Sequence, residues 1–282
     1  MVAVKFLYQK AKEELDKAGI SDPAFNSMCL VEKIFGINKA DLLAGNHTAD
    51  DTKSVEFITL LGRRLSGEPL QYLLGEWEFF GYKFKVGKGV LIPRDDTEVL
   101  LRVCLDFLKN KKNAKVLDLC SGSGALAIAI AKETDANVTA LEKSAEALPY
   151  LCENININKA EIEVIAGDVF KCSDDFDDGY FDLILSNPPY VKSNEIETLQ
   201  KEISFEPKIA LDGGEDGYDF YRHIVKNYSK KLKKSGMMAF ELGEGQFSTV
   251  KALMENENFC DIGYELDFGD IQRAIYGTMA SF

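Results

Sequence analysis

The sequence predicts an α/β protein, a doubly wound, mostly parallel seven-stranded sheet with a small helical domain in front of it. Three observations carry this. Seven short apolar runs, near residues 115–119, 137–141, 161–166, 180–186, 236–241, 262–267 and 272–279, alternate with helix-length segments, the pattern of strands joined by crossover helices. The first run ends in a small-residue loop, Cys120-Ser121-Gly122-Ser123-Gly124, which opens an apolar helix-favouring stretch from Ala125 to Ala131. The first ~75 residues repeat their apolar positions at helical spacing instead.

From the N-terminus, Val4, Phe6 and Leu7 through Leu15 and Ala18 form one helical stripe that stops at Gly19. Ser21-Asp22-Pro23 is a helix-start signal, with Pro23 suited to the first turn. Phe25, Met28, Cys29, Val31 and Phe35 continue that helix to Gly36. A third helix is expected over about 38–43 and a fourth over about 52–65. Trp77 to Val86 alternates like a hairpin with Gly81 near its turn, and a domain junction falls here. Leu91-Ile92-Pro93-Arg94 is extended. Asp95-Asp96-Thr97 then supplies capping chemistry for a helix reaching about Lys109. The expected organisation is a helical bundle over 1–75, a hairpin linker over 76–90 and the α/β domain over 91–282.

Hydrophobic residues make up 46% of the 282, enough for a substantial core. The formal charge is −13, from 46 acids against 33 bases, and the pI is near 4.8. That balance argues against a broad nucleic-acid surface, which needs clustered Lys and Arg, so no direct nucleic-acid binding is expected. Two local clusters, Lys109, Lys111 and Lys112, and Lys230, Lys231, Lys233 and Lys234, read as solvated helix ends. The six cysteines are scattered without a C-x-x-C pair, and the two histidines, His47 and His223, have no motif context. No metal site and no disulfide framework is therefore expected. With no leader pattern and no membrane-length apolar run, a monomeric, soluble, cytoplasmic protein is the expectation.

Two features carry chemistry. The strand–glycine loop–helix unit brings backbone N–H groups close to a ligand, and Glu142, closing the next strand, suits ribose hydroxyls. Gly122, Gly124 and Ala127 also satisfy a loose G-x-G-x-x-A pattern. The loop points to a nucleoside-containing cofactor without deciding between nicotinamide and S-adenosylmethionine. The second feature is Asn187-Pro188-Pro189-Tyr190, directly after the apolar strand Phe181–Ser186. The Asn187 side-chain oxygen and the Pro188 carbonyl are acceptors for both hydrogens of a planar NH2 group. The prolines, Pro188 and Pro189, fix φ and donate nothing, and the Tyr190 ring suits a planar partner. The plainer reading is a proline-terminated strand and turn.

These residues together resemble the HemK/PrmC family, the class I S-adenosylmethionine-dependent methyltransferases of peptide-chain release factor glutamine. Gly67-Glu68-Pro69-Leu70-Gln71-Tyr72-Leu73-Leu74-Gly75 resembles the family's linker motif, and Ile92-Pro93-Arg94-Asp95-Asp96-Thr97-Glu98 its Pro-Arg-Pro-acid-Thr-Glu motif. Gly167-Asp168-Val169-Phe170 resembles the loop flanking the adenine. Glu206-Pro207 through Leu211-Asp212-Gly213-Gly214-Glu215-Asp216-Gly217, then Tyr221-Arg222, resembles the segment after the catalytic tetrapeptide, and Glu241-Leu242-Gly243 with Gln246 the late strand and turn. The resemblance runs from about residue 60 to the C-terminus.

The resemblance implies a Rossmann-like fold and methyl transfer to the glutamine amide nitrogen of the Gly-Gly-Gln tripeptide in class 1 release factors, modulating translation termination. The cofactor implied is S-adenosylmethionine, leaving as S-adenosylhomocysteine. Cys120, Ser121, Gly122, Ser123 and Gly124 would wrap its methionine part and ribose, Glu142 would take the ribose hydroxyls, and Asp168 and Val169 would flank the adenine. Arg94 and Thr97 would lie near the methionine end, and Asn187 would face both cofactor and acceptor. Asn187, Pro188, Pro189 and Tyr190 are the implied catalytic residues, and the N-terminal bundle the implied substrate-recognition domain. Three departures stand out: Cys120 where glycine is usual, Asp95 where proline is usual, and a longer Gly269-to-Arg273 spacing in the Asp-x-x-Gly-x-x-Arg pattern. Rival readings are an adenine amino methyltransferase acting on a flipped or single-stranded base, a ribosomal-protein glutamine methyltransferase, a nicotinamide dehydrogenase and a non-catalytic adaptor.

Overall fold

The structure, a computed structural model, describes residues 1–280. The chain divides into two compact units, Met1–Glu76 with Gln200–Phe205, and Trp77–Leu199 with the residues from Glu206 onward.

In the first unit β1 (Val2–Ala3) pairs with β2 (Thr48–Ala49), four helices follow the predicted stripes, α1 (Val4–Lys17), α2 (Pro23–Phe35), α3 (Lys39–Ala44) and α4 (Asp51–Leu65), and a fifth, α5 (Leu70–Leu74), comes after them. Leu7, Leu15, Leu30, Val31, Phe57 and Leu61 meet in its core. Helix α5 is an addition, since the Gly67–Gly75 stretch had no helical expectation. It ends at Gly75, whose φ of 74° is the left-handed helix stop that glycine favours. Helix α2 starts at Pro23 as expected, but Asp22 does not cap it with its side chain; Asn26 Nδ2 instead donates to the Ser21 and Asp22 carbonyls at 3.0 and 3.1 Å. The buried Arg64 donates to Asn26 Oδ1 at 2.7 Å and to Glu202 Oε1 at 2.5 Å, which ties segment 200–205 into this unit.

The second unit opens with a hairpin, β3 (Glu76–Phe79) and β4 (Tyr82–Lys85). Its turn residues Phe80 and Gly81 have φ of 50° and 78°, the two left-handed positions a tight two-residue hairpin needs. There follow α6 (Thr97–Leu108), β5 (Lys115–Leu119), α7 (Ala125–Glu133), β6 (Asn137–Glu142), α8 (Leu148–Asn158), β7 (Ile162–Ala166), β8 (Phe181–Ser186), α9 (Asp219–Tyr228), β9 (Leu232–Glu241), α10 (Phe247–Asn256), β10 (Phe259–Leu266) and β11 (Gln272–Met279). All seven predicted strands join one sheet in the order β10-β11-β9-β8-β5-β6-β7. The pairs from β7 to β9 are parallel, and β11 runs antiparallel between β9 and β10. Strand β9 starts earlier than its apolar run suggests, because Leu232 already pairs with Phe181 ahead of a bulge. The central strands β5 and β8 are buried on both faces, as parallel strands covered by helices must be.

One expectation about helix ends is corrected. No side chain caps α6: Asp96 lies in the right-handed helical region at φ −60°, and its carboxylate faces Arg273 at 3.6 Å. A tertiary cation has taken the group that local reading assigned to the helix end.

The strand order positions the site. From β5 the chain winds outward through β6 and β7, then returns to lay β8 on the other side of β5. The loops after β5 and β8 therefore diverge, opening a crevice at the carboxyl ends of these strands, where ligands bind in open α/β sheets. The loop after β5 is Cys120–Gly124, and the loop after β8 is Asn187–Tyr190. Among the described residues no helix is long and apolar enough to cross a membrane, and no cluster of His, Cys, Asp or Glu is arranged to hold a metal ion.

Candidate active site

The crevice is a cavity lined by Asp118, the Cys120–Ser123 backbone, Glu142, Asp168, Val169, Phe170, Arg94, Thr97, Asn187 and Pro189, among others. Of the residues singled out in the sequence, Gly124, Pro188 and Tyr190 are not among those that line it.

The loop after β5 turns by left-handed backbone at Cys120 (φ 61°), Gly122 (56°) and Gly124 (84°). At Cys120 a side chain is thereby held in a region that favours glycine. Gly122 has open space where a Cβ would stand, whereas a Cβ on Gly124 would lie 2.5 Å from Leu151 Cδ1. The first glycine leaves room on the loop, and the second lets α7 and α8 approach each other. Glu142, buried at the end of β6, accepts from Gly122 N at 2.7 Å and Ser144 N at 2.6 Å. Its carboxylate thus holds two loops, and each oxygen keeps a further lone pair for a ligand hydroxyl.

Asp168 accepts from Phe170 N at 3.0 Å and pairs with Lys143 at 3.0 Å. Burial pushes its carboxyl up, but Lys143 and the Phe170 N–H outweigh that and hold it below the usual range. Val169 is buried, and its carbonyl takes the Tyr228 hydroxyl at 2.9 Å.

Asp118 is the group sequence reading left without a role. It is the last residue but one of β5, lines the cavity, is 1% exposed, and neither carboxylate oxygen has a hydrogen-bond partner among the described residues. Burial pushes its pKa up to about 7, and the Glu142 charge adds to it; the Ser121 hydroxyl and the Ala127 N–H lie near enough to oppose the rise, but the hydroxyl is donated to the Asp118 main-chain carbonyl at 2.9 Å. A buried carboxylate without a cation is costly, and a cationic ligand would relieve it.

On the opposite wall Asn187 Nδ2 donates to Thr97 Oγ1 at 3.3 Å. Tyr190 turns its hydroxyl inward to Glu241 Oε1 at 3.2 Å, and its carbonyl accepts from Gln246 Nε2 at 3.0 Å. Gly213 and Gly217 lie against the same backbone: a Cβ on Gly217 would fall 2.6 Å from Tyr190 O. Arg94 is paired with Glu206, whose other oxygen accepts from Ile92 N at 3.0 Å, so the segment after the tetrapeptide also holds the irregular stretch before α6. These supporting roles of Glu206, Gly213, Gly217, Glu241 and Gln246 had no sequence signal beyond family resemblance. The longer C-terminal spacing is accommodated by a turn at Asp270 (φ 60°), and Arg273 still reaches Asp267 at 2.9 Å and the Leu242 carbonyl at 2.8 Å.

A seven-stranded, mostly parallel sheet with one antiparallel strand, a glycine loop after its first central strand and an acid closing the next defines a class I S-adenosylmethionine-dependent methyltransferase. Solved structures agree on the fold. A methyltransferase from Pyrococcus furiosus superposes with a TM-score of 0.53 at 18% identity, covering 72% of this chain and 91% of that one. The Thermus thermophilus 16S rRNA N2 G1207 methyltransferase gives 0.54 at 17% identity, covering 72% and 49%. The Methyltransferase small domain family matches residues 95–235, and the PrmC N-terminal domain family residues 7–75. Release factor glutamine methyltransferases are similar at 35% identity in Fusobacterium nucleatum, over 97% of this chain and 78% of the relative, and at 40% in Thermodesulfovibrio yellowstonii, over 86% and 88%. The chain belongs to the release factor glutamine methyltransferase family.

Proposed function

We propose that this protein transfers a methyl group from S-adenosylmethionine to the side-chain amide nitrogen of the glutamine in the Gly-Gly-Gln motif of class 1 peptide-chain release factors. The observation that supports this is one cavity lined both by Asn187 and by the buried Asp118 carboxylate, whose oxygens have no hydrogen-bond partner among the described residues. S-adenosylmethionine supplies, when bound, a methyl group on a sulfonium and an ammonium group. Asp118 is the counter-charge this cavity offers to a cation. Glu142 would accept the ribose hydroxyls with its free lone pairs, and Asp168 and Val169 would border the adenine. The Cys120–Gly124 loop would lie along the methionine part, with Arg94 and Thr97 at its far end.

An amide nitrogen is a poor nucleophile, because its lone pair is delocalised into the carbonyl. The chain's contribution is therefore positioning and electrostatics. Asn187 Oδ1 and the Pro188 carbonyl would accept the two amide hydrogens and hold the nitrogen toward the methyl donor. Pro189 fixes the backbone, and Tyr190 is anchored at both its hydroxyl and its carbonyl. The first unit is assigned to substrate recognition away from the tripeptide; Phe6, Val55 and Ile58 expose apolar side chains there.

The test is methyl transfer from labelled S-adenosylmethionine to a purified class 1 release factor, beside a Gly-Gly-Ala variant of the tripeptide, a ribosomal-protein preparation and a DNA and RNA panel. Label on the intact factor alone supports this reading. Label on ribosomal protein or nucleic acid would replace the substrate while keeping the enzyme class.

A further inference from the structure

A groove separate from the catalytic cavity runs between α6 and the β10–β11 hairpin. Val99, Val103 and Phe107 on α6 form one apolar wall, and Leu266 and Tyr276 on the hairpin form the other. Phe268, just past the end of β10, also lines the groove and is 98% exposed, while Leu266 is 45% exposed. The apolar surface here is therefore a patch rather than a lone ring. Its loop is braced from within. The buried Asp267 accepts from Gly269 N at 2.8 Å and Ile271 N at 3.0 Å, and Arg273 holds its other oxygen at 2.9 Å. A ring carried on such a turn costs little further ordering when a partner covers it.

The direction of β10 places this loop. Strand β9 runs parallel to β8, and β11 runs antiparallel to both β9 and β10. Strand β10 therefore runs with β5 and β8, and the turn after it stands at the carboxyl edge of the sheet, where the catalytic cavity opens. The two sites also meet along the chain, since Arg94 lines the cavity and Asp95 the groove. The charge of the walls then selects the partner. Asp95, Asp106, Asp261 and Glu265 are exposed acids along the groove, none in an ion pair among the described residues. Arg102 is the one cation that lines it, and Glu98 holds that cation at 2.7 Å. Phosphate backbones and acidic segments are repelled by such a surface. A segment with Lys or Arg beside apolar side chains complements both the walls and the charges.

We propose that this groove docks the protein that carries the acceptor glutamine, taking from it an apolar segment flanked by Lys or Arg, with Phe268 as the anchor. The inference rests on the release factor methylation proposed above and adds a contact that serves affinity rather than chemistry. A contact remote from the reacting atoms is made equally before and in the transition state, so it sets KM and leaves kcat alone.

Three variants decide it. Phe268→Ser removes the uncovered ring, and D106K/D261K reverses two exposed acids of the groove. E153K/E161K makes the same charge change on exposed residues of the α8–β7 segment, at the other end of the sheet. With the release factor as substrate, the first two are each expected to raise KM about tenfold or more, the loss of one interface anchor. Their kcat and S-adenosylmethionine Kd should be unchanged, and E153K/E161K should keep the wild-type KM. Wild-type KM should rise as salt is added, and that of D106K/D261K less steeply. A second readout needs no methyl transfer: a release factor with Gly-Gly-Ala in place of its tripeptide should bind more weakly to the same two variants in calorimetry. An unmoved KM in Phe268→Ser, or an equal rise in E153K/E161K, overturns the docking. So does a wild-type dimer that Phe268→Ser converts to monomer, which would give the groove to a second copy of the chain. Label on the factor without dependence on the groove removes this inference alone. Groove-dependent binding without label removes the methylation reading alone, and a wild type that neither binds nor labels the factor removes both.

Discussion

Gly213 packs directly on the Tyr190 backbone: a Cβ there would stand 2.7 Å from Tyr190 Cα and 2.8 Å from Pro189 O. No flexible side-chain end absorbs such a clash, so the tetrapeptide or the 211–217 loop has to move. The loop is fixed in turn by Gly213 N donating to Val191 O at 2.8 Å and Val191 N donating to Leu211 O at 2.9 Å. Gly213→Ala is therefore expected to lower kcat about 10- to 100-fold, the penalty for displacing a positioning group by roughly an ångström. Cofactor affinity measured by calorimetry should stay the same. Full turnover in this variant would mean that tetrapeptide placement does not limit the rate.

Asn187→Ala isolates the amide clamp. Its side chain meets Thr97 on one side and the cavity on the other. Loss of most methyl transfer with cofactor binding nearly intact is the expected pattern, seen by comparing single-turnover transfer with calorimetry. Unchanged turnover would remove Asn187 from the mechanism.

Asp118 makes a prediction with a definite sign. Its folded pKa of about 7 lies above the ordinary 3.8, so the folded state holds the proton more tightly than the unfolded chain. The stability this contributes is complete below the unfolded value and is lost as pH rises through about 7. At about 1.4 kcal/mol per unit, the swing is of the order of a few kcal/mol. In Asp118→Asn that titration is gone. Urea unfolding of the cofactor-free protein should therefore show the variant gaining on the wild type between about pH 4 and about pH 8. Cofactor binding should move the opposite way: wild-type affinity falls as pH drops below about 7 and the carboxylate is neutralised, while the variant binds weakly with a flat profile. A flat wild-type profile would show that Asp118 is not the counter-charge.

Glu142→Ala should weaken cofactor binding by about 1.5–3 kcal/mol, the worth of hydrogen bonds to a charged acceptor. The structure adds a second consequence. Gly122 N and Ser144 N lose their shared acceptor, so both loops should exchange their amide hydrogens faster in the cofactor-free variant. An unaltered Kd with faster exchange would assign Glu142 to loop support alone.

Much of this protein is legible along the chain. The helical stripe from Val4 to Leu15, the alternation from Trp77 to Val86 and the short apolar runs from Lys115 onward are periodicities, and periodicity reports which face of a local element is buried. Gly122 and the prolines of the tetrapeptide are equally readable, because their conformational limits belong to the residue itself. The reading that failed did so where a side chain had a choice of partners: Asp96 could cap α6 but faces Arg273.

By itself, then, the sequence determined the elements, the glycine turn and the proline-stiffened Asn187–Tyr190 turn after β8, since all three follow from backbone stiffness and hydrophobic period. Only the tertiary structure decided that the Asp118 carboxylate has no hydrogen-bond partner among the described residues, that Gly213 presses on Tyr190, and that Glu241 accepts the Tyr190 hydroxyl. Desolvation and hydrogen-bond satisfaction depend on which groups approach through space. Strands adjacent in the sheet but distant along the chain, such as β5, β8 and β9, bring those groups together.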